Sequence, residues 1–150
     1  MTRVDFYILP DATADGRERF ACRLAEKIYK MGHTLYLHTD SPEQAQQLDE
    51  LLWGYKDSSF LPHSIEGDDQ NQSPQNKAPK ILISHHHETP TKPHSHSDVL
   101  INLAPTVPGF FSRFKRVAEL INQAEDLKVA GRERFKFYRD RGYQPETHKI

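Results

Sequence analysis

Lys128, Arg132 and Lys136 recur at i, i+4 and i+8, and Arg139 falls in the same sector. On a helix these cations share a face roughly 80° wide. Leu127, Phe135 and Tyr138 fall on the adjoining sector, with Gly131 among them, and Asp126, Glu133 and Asp140 lie away from the basic stripe. A solvated face is the ordinary reading of a charge run. Here the like charges repel at i, i+4 with no acid between them on that face, and an anionic partner would relieve them. Two partners fit. One is nucleic-acid phosphate. The other is an acidic peptide whose terminal carboxylate an arginine grips bidentately while the apolar edge takes a side chain.

Other clusters carry weaker chemistry. His85, His86, His87, His94 and His96 lie within twelve residues, and imidazole binds zinc, nickel and copper. Pro90, Pro93, Ser95 and Ser97 interrupt the tract, so nothing holds the rings in a ligand geometry. The segment reads as a loop with incidental metal affinity, and no metal site is expected. Asp11, Asp15 and Asp40 stand at strand ends, where paired carboxylates can hold magnesium. Turn and cap roles account for them equally, with Asp11 or Thr13 expected to cap the first helix. Cys22 falls beside an apolar helical stripe, where a buried inert thiol is expected. No GxSxG elbow is present.

The elements that must position these residues follow from periodicity. Val4 to Leu9 is a short, nearly continuous apolar run, as in a strand buried on both faces. Residues 13–31 read as a helix with Phe20, Ala21, Leu24, Ala25, Ile28 and Met31 on its buried stripe, stopped at Gly32. Residues 34–38 form the second strand. Ser41-Pro42 opens a second helix, with Gln44 placed for a capping box and Ala45, Leu48, Leu51 and Leu52 facing inward. Ser59 to Pro62 reads as a short strand, 80–84 and 98–103 as strands, and 116–121 as the last strand. A short helix is expected from Gly109 to about Arg113 and a final helix over roughly 125–141, before a polar tail. The β-α-β-α opening predicts an α/β fold: one Rossmann-like, mostly parallel sheet with helices on both faces. The loop Pro10 to Gly16 lacks both GxGxxG and GxxxxGK[ST], and it puts two carboxylates where phosphate needs bare amides. No nucleotide or other cofactor is expected.

Composition agrees. The chain has 150 residues, enough for one domain with its own core. Twenty Lys+Arg against 21 Asp+Glu give a formal net charge of −1, which argues against a generally basic nucleic-acid coat or a polybasic membrane binder. Hydrophobic content of 36%, ten prolines and nine histidines point to extended polar loops, placed at 66–79 and 85–97. One cysteine excludes an internal disulfide and suits a reducing compartment. No apolar run approaches the roughly 20 residues of a membrane span, and the early charges at Arg3 and Asp5 do not suit a signal peptide. A cytoplasmic protein is expected.

Trp53 follows the last buried turn of the second helix, and Phe60 lies just past the polar turn Lys56 to Ser59. Aromatics at element ends either close a core or anchor an interface, and pattern alone leaves both open.

Several segments together resemble one family. They are Val4-Asp5-Phe6-Tyr7-Ile8-Leu9, the stretch Ala45 to Trp53 with its LDExLW core, and Ser59-Phe60-Leu61-Pro62-His63. Asp98 to Leu103 and the helix Arg132 to Arg139, of form RERxxxYR, complete the set. In this order and spacing they resemble the chi subunit of bacterial DNA polymerase III holoenzyme. The two polar loops are this chain's own. The resemblance implies a Rossmann-like domain without a nucleotide site and an accessory role without catalysis. Two partners are implied: the psi subunit, leading to the clamp loader, and the acidic C-terminal tail of single-stranded DNA-binding protein. The tail site then comprises Arg132 as the central arginine, Lys128 and Lys136 beside it, and Ile121 and Phe135 as walls. Trp53 and Phe60 would face psi, or a repair helicase using the same surface. DNA would be reached mainly through partners. A metal- or nucleotide-dependent enzyme on a doubly wound sheet is the alternative, and a phosphate loop or a fixed metal shell would favour it.

Overall fold

The computed structural model describes residues 2–54, 62–65, 80–85 and 97–150. Its elements are β1 (Arg3–Ile8), α1 (Gly16–Lys30), β2 (Leu35–His38), α2 (Pro42–Gly54), β3 (His63–Ile65), β4 (Ile81–Ser84), β5 (Val99–Asn102), β6 (Arg116–Ile121), α3 (Glu125–Asp140) and β7 (Glu146–Lys149). The strands form one seven-stranded sheet in the order β3-β4-β2-β5-β6-β1-β7. Every pairing is parallel. The mostly parallel α/β sheet expected from the β-α-β-α opening is therefore present.

Alternation along each strand sorts side chains between two cores. Leu35 and Leu37 of β2, Ile101 of β5 and Leu120 of β6 face α1 and α2, where Ala21, Cys22, Ala25, Leu48 and Leu52 cover them. Tyr36, Leu100, Val117, Phe6 and Val4 face the opposite way, toward Tyr138 of α3 and the aromatics Phe110, Phe111 and Phe114. Helices thus cover both faces. Ser41 accepts the Gln44 N–H at 3.1 Å, and Gln44 Oε1 accepts the Asp40 N–H at 2.9 Å, so α2 opens on a reciprocal cap.

Several local expectations need correction. Neither Asp11 nor Thr13 caps α1. Asp11 Oδ1 accepts the Thr13 N–H, and Thr13 O accepts the Gly16 N–H, so both belong to the turn before the helix. Asp15 holds the cap position, but its carboxylate bonds Arg19 Nε at 2.6 Å instead. Met31 is 58% exposed, not buried, because α1 ends at Lys30 and Met31 is its C-cap, just before the positive-φ turn at Gly32. The expected helix near 109–113 is a single 3-10 turn, Phe111–Arg113. The strand at this point of the chain is His63–Ile65, whereas 59–61 lie outside the described residues. So do the polar loop 66–79 and residues 86–96 of the histidine tract.

The polar tail forms β7, paired with β1 from Asp5↔Glu146 to Ile8↔Lys149. Its sequence, ETHK, has no apolar face to signal a strand. It is held by backbone bonds to β1 and by polar side chains. Arg3 donates to Glu146 at 3.1 Å, and His148 Nε2 lies 2.8 Å from Asp5 Oδ1.

Candidate functional site

The basic helix is α3, and its start is tied to the loop after β1. Gln123 N–H donates to Asp11 O at 2.8 Å, and Gln123 Nε2 to Leu9 O at 2.9 Å. Asn122 Oδ1 accepts the Ala124 N–H at 2.9 Å. Farther along, a buried network fixes the helix to the sheet. Glu119 of β6 is fully buried and accepts from Arg134 Nε at 2.8 Å, Tyr138 OH at 2.7 Å and Asn102 Nδ2 at 3.0 Å. Burial raises the Tyr138 hydroxyl well above its ordinary pKa, and the Glu119 carboxylate raises it further. Tyr138 therefore belongs to this network and the core. It is not on an exposed apolar edge beside the basic stripe, where the helical wheel alone would put it.

Gly131 sets the distance between α3 and β6. A Cβ there would lie 2.9 Å from Ile121 Cγ1 and closer still to Cδ1. The helix backbone thus rests on Ile121, and beside the contact a cavity of about 190 Å³ opens between α3, β6, β1 and β7. Phe6, Ile8, Ile121 and Phe135 line it with apolar surface, and Lys128 and Arg132 stand at its rim. Phe135 is half-buried and tilts against Phe6 with ring centroids 5.2 Å apart. The Arg139 guanidinium lies 6.0 Å from the Phe135 ring centre. Arg132 and Lys136 are exposed, and Lys128 is half-buried. Among the described residues the side chains of Lys128, Arg132 and Lys136 meet no carboxylate and no hydrogen-bond acceptor.

The structure therefore brings Ile121, Lys128, Arg132 and Phe135 together around one cavity. Lys136 lies on the same helix but does not line it. Sequence reading missed Phe6 and Ile8 of β1 and Thr147 of β7, which complete the walls. Gly131 was the available signal, since a mid-helix glycine is unfavourable unless a close approach requires it.

Trp53 sits near the end of α2 and is 56% exposed. Its ring lies 4.7 Å from that of His63 on β3, and His63 Nε2 is 3.2 Å from Asp49 Oδ1. Phe60 lies outside the described residues. Since β3 and β1 are five steps apart in the sheet, the Trp53 surface and the α3 cavity are separated by about 24 Å at the usual strand spacing.

The other candidate chemistries find a different geometry. Cys22 is fully buried, and burial pushes its thiol up to about 12. Asp11, Asp15 and Asp40 take turn and cap positions. At the carboxyl ends of β2 and β5, where α/β sheets commonly bind ligands, lies a cavity of about 530 Å³. Glu18, Asp40, Glu43 and Asp126 line it beside Arg17 and Arg134, an acidic excess that does not suit a phosphate, and the two arginines already donate to Leu103 O and Glu119. Among the described residues, Asp5, Glu146 and His148 bring three ligand-type atoms within 4.8 Å. Asp5 there already faces Arg116 Nε at 3.0 Å and Arg3 Nε at 3.3 Å, so its charge is balanced within the protein.

Against known families, residues 1–146 match the model described as DNA polymerase III chi subunit, HolC. The chain belongs to the chi family of DNA polymerase III subunits. The chi subunit of Pseudomonas aeruginosa is 39% identical over 150 residues, covering 100% of this chain and 98% of that protein. The Escherichia coli chi subunit is 31% identical, with 98% and 97% covered, and that of Haemophilus influenzae 30%, with 97% and 95% covered. Among solved structures, T4 UvsW superposes with a TM-score of 0.66 at 10% identity, over 99% of this chain and 42% of that one. The C-terminal domain of Saccharomyces cerevisiae Dbp5 gives 0.65 at 13% identity, over 99% and 90%. These two likenesses concern the fold alone. Among the described residues no helix is long and apolar enough to cross a membrane.

Proposed function

We propose that this chi-family chain is a non-catalytic adaptor of the DNA polymerase III holoenzyme in the cytoplasm. It links the clamp loader, through psi, to the C-terminal tail of single-stranded DNA-binding protein. The observation that carries this reading is the apolar cavity beside α3 with unpaired Arg132 and Lys128 at its rim. An apolar cavity edged by cations suits a peptide end that joins a hydrophobic side chain to a carboxylate. The terminal aromatic ring enters between Ile121 and Phe135. Arg132 donates two parallel N–H bonds to the terminal carboxylate. Lys128 and Lys136 attract acidic residues farther back in the tail. Trp53, exposed about 24 Å away by strand count, serves with Phe60 as the surface for psi or a repair helicase. DNA is reached through these partners, and linking weak contacts raises the local concentration of the polymerase at coated single strands.

The test is a titration of the full chain with a short acidic peptide ending in phenylalanine, beside the same peptide amidated at its end. The free acid should bind more tightly, and binding should weaken with salt, since exposed charges are screened. Arg132→Ala should lose roughly 1.5–3 kcal/mol. Lys128→Ala or Lys136→Ala should lose about 1 kcal/mol or less. If bare single-stranded DNA binds as well as the peptide and amidation changes nothing, the basic face contacts phosphate and the adaptor reading of this site fails.

A further inference from the structure

A second cavity lies on the other face of the sheet and at its other end. The last turns of α1 overhang the amino ends of β5 and β6. Beneath them Tyr7, Leu24, Ile28, Val99 and Ala118 line a hollow of about 180 Å³. Ala118 is the small residue that leaves the space, since alternation along β6 turns it toward α1 between Arg116 and Leu120. Met31, 58% exposed, stands at the lip. Lys27, Lys115, Arg116 and His33 complete the rim, and Asp98 is the one acid lining it among the described residues. Asp98 is already engaged: it accepts the Thr34 N–H at 2.9 Å and the Thr34 hydroxyl at 3.0 Å, with Lys115 Nζ at 3.5 Å. Those bonds hold its carboxyl below the ordinary range against the opposing effect of burial.

Apolar lining under an excess of cations has the same chemistry as the α3 cavity, with one difference. Arg132 is free to fork a terminal carboxylate, whereas Arg116 already donates through Nε to Asp5 at 3.0 Å. The remaining cations are Lys27, which meets no acid among the described residues, and Lys115, which is largely exposed and reaches Asp98 only at 3.5 Å; both attract carboxylates as point charges without needing the planar end of a chain. We propose that this hollow is a second docking site, for an internal acidic segment of a partner protein that places one aliphatic side chain under α1 between flanking carboxylates. The proposal is independent of the tail site, because none of the described residues lines both cavities.

The test follows amide resonances of the full chain during titration with the blocked pentapeptide acetyl-Glu-Asp-Leu-Asp-Glu-amide, which has no terminal carboxylate. Resonances of Leu24, Ile28, Val99 and Ala118 should move. Lys27→Glu with Lys115→Glu should weaken that binding at least tenfold and leave binding of the free-acid phenylalanine peptide at α3 unchanged. If the reversed charges lower the melting temperature, Lys27→Gln with Lys115→Gln should still weaken binding severalfold. Three results would overturn the proposal: no movement at millimolar peptide, movement confined to α3, or a stronger response of the same resonances to oligothymidylate, which would make the rim a phosphate surface. Because the sites report through different resonances, failure here is distinguishable from failure of the tail site.

Discussion

Gly131 is where a single atom decides the geometry of the cavity beside α3. Replacing it with alanine adds a methyl group against Ile121. Alanine favours the helix by about 1 kcal/mol, but forcing a methyl group into a packed contact typically costs about 1–3 kcal/mol. The clash is with a branched side chain of a central strand, so the packing penalty should prevail. Gly131→Ala is expected to lower the urea midpoint without changing its slope, and to weaken tail-peptide binding by shifting a cavity wall. Cys22 offers a contrasting residue-scale test. Its buried thiol, raised to about 12, should stay unreactive toward a thiol reagent at pH 8 in the native chain and react when the chain is unfolded. Rapid native labelling would show that α1 opens readily.

At the scale of elements, α3 and β7 are both held by buried charge, in different ways. Arg134 pins α3 to Glu119, with both side chains buried. Arg134→Met would leave the Glu119 carboxylate buried without its cation, and breaking such a pair costs about 3–5 kcal/mol. Thermal unfolding should therefore show a large fall in midpoint. The edge strand β7 depends on Asp5. Burial pushes the Asp5 carboxyl up, but bonds from His148 and Arg116 and the charges of Arg116 and Arg3 outweigh it, and the net pKa is below the ordinary value. A depressed carboxylate stabilises the fold above its unfolded pKa, about 3.9, and that contribution is lost as pH falls through the folded value. Stability measured by urea between pH 5 and pH 2 should fall with acid, and Asp5→Asn should flatten the part of the slope below about pH 4. An unchanged slope would mean that this cluster does not tie β7 down.

At the scale of the whole molecule, the parallel sheet spaces the candidate surfaces. Trp53 lies toward the β3 edge and the α3 cavity toward the β1–β7 edge. Changes at well-separated sites with no shared partners add. Trp53 is more than half exposed, so Trp53→Ala should shift the folding free energy by no more than about 1 kcal/mol. It should weaken psi binding by on the order of 2 kcal/mol or more and leave tail-peptide binding intact. Calorimetric titrations with each partner should show the two defects combining independently in the double variant with Arg132→Ala. A double variant that loses more than the sum would mean that the surfaces communicate through the sheet.

Strands of continuous apolar residues and the stripes of α1 and α2 were legible in the sequence, because burial leaves a periodic record in residue type. The family was legible too, through dispersed segments in order. Burial alone could not announce β7: an edge strand half in water carries no apolar period, and ETHK becomes a strand only because β1 presents an open edge with Asp5 beneath His148. Met31 and Tyr138 show the same limit on helices. The helical wheel gives the direction of a side chain, but where the helix ends relative to the sheet decides whether something meets it. Met31 thus overshoots into solvent and Tyr138 reaches Glu119. The basic stripe and Phe135 were visible along α3. The cavity they edge was not, because Phe6, Ile8 and Thr147 come to it from strands more than a hundred residues apart in the chain, and only the parallel pairing of β1 with β6 and β7 brings them together.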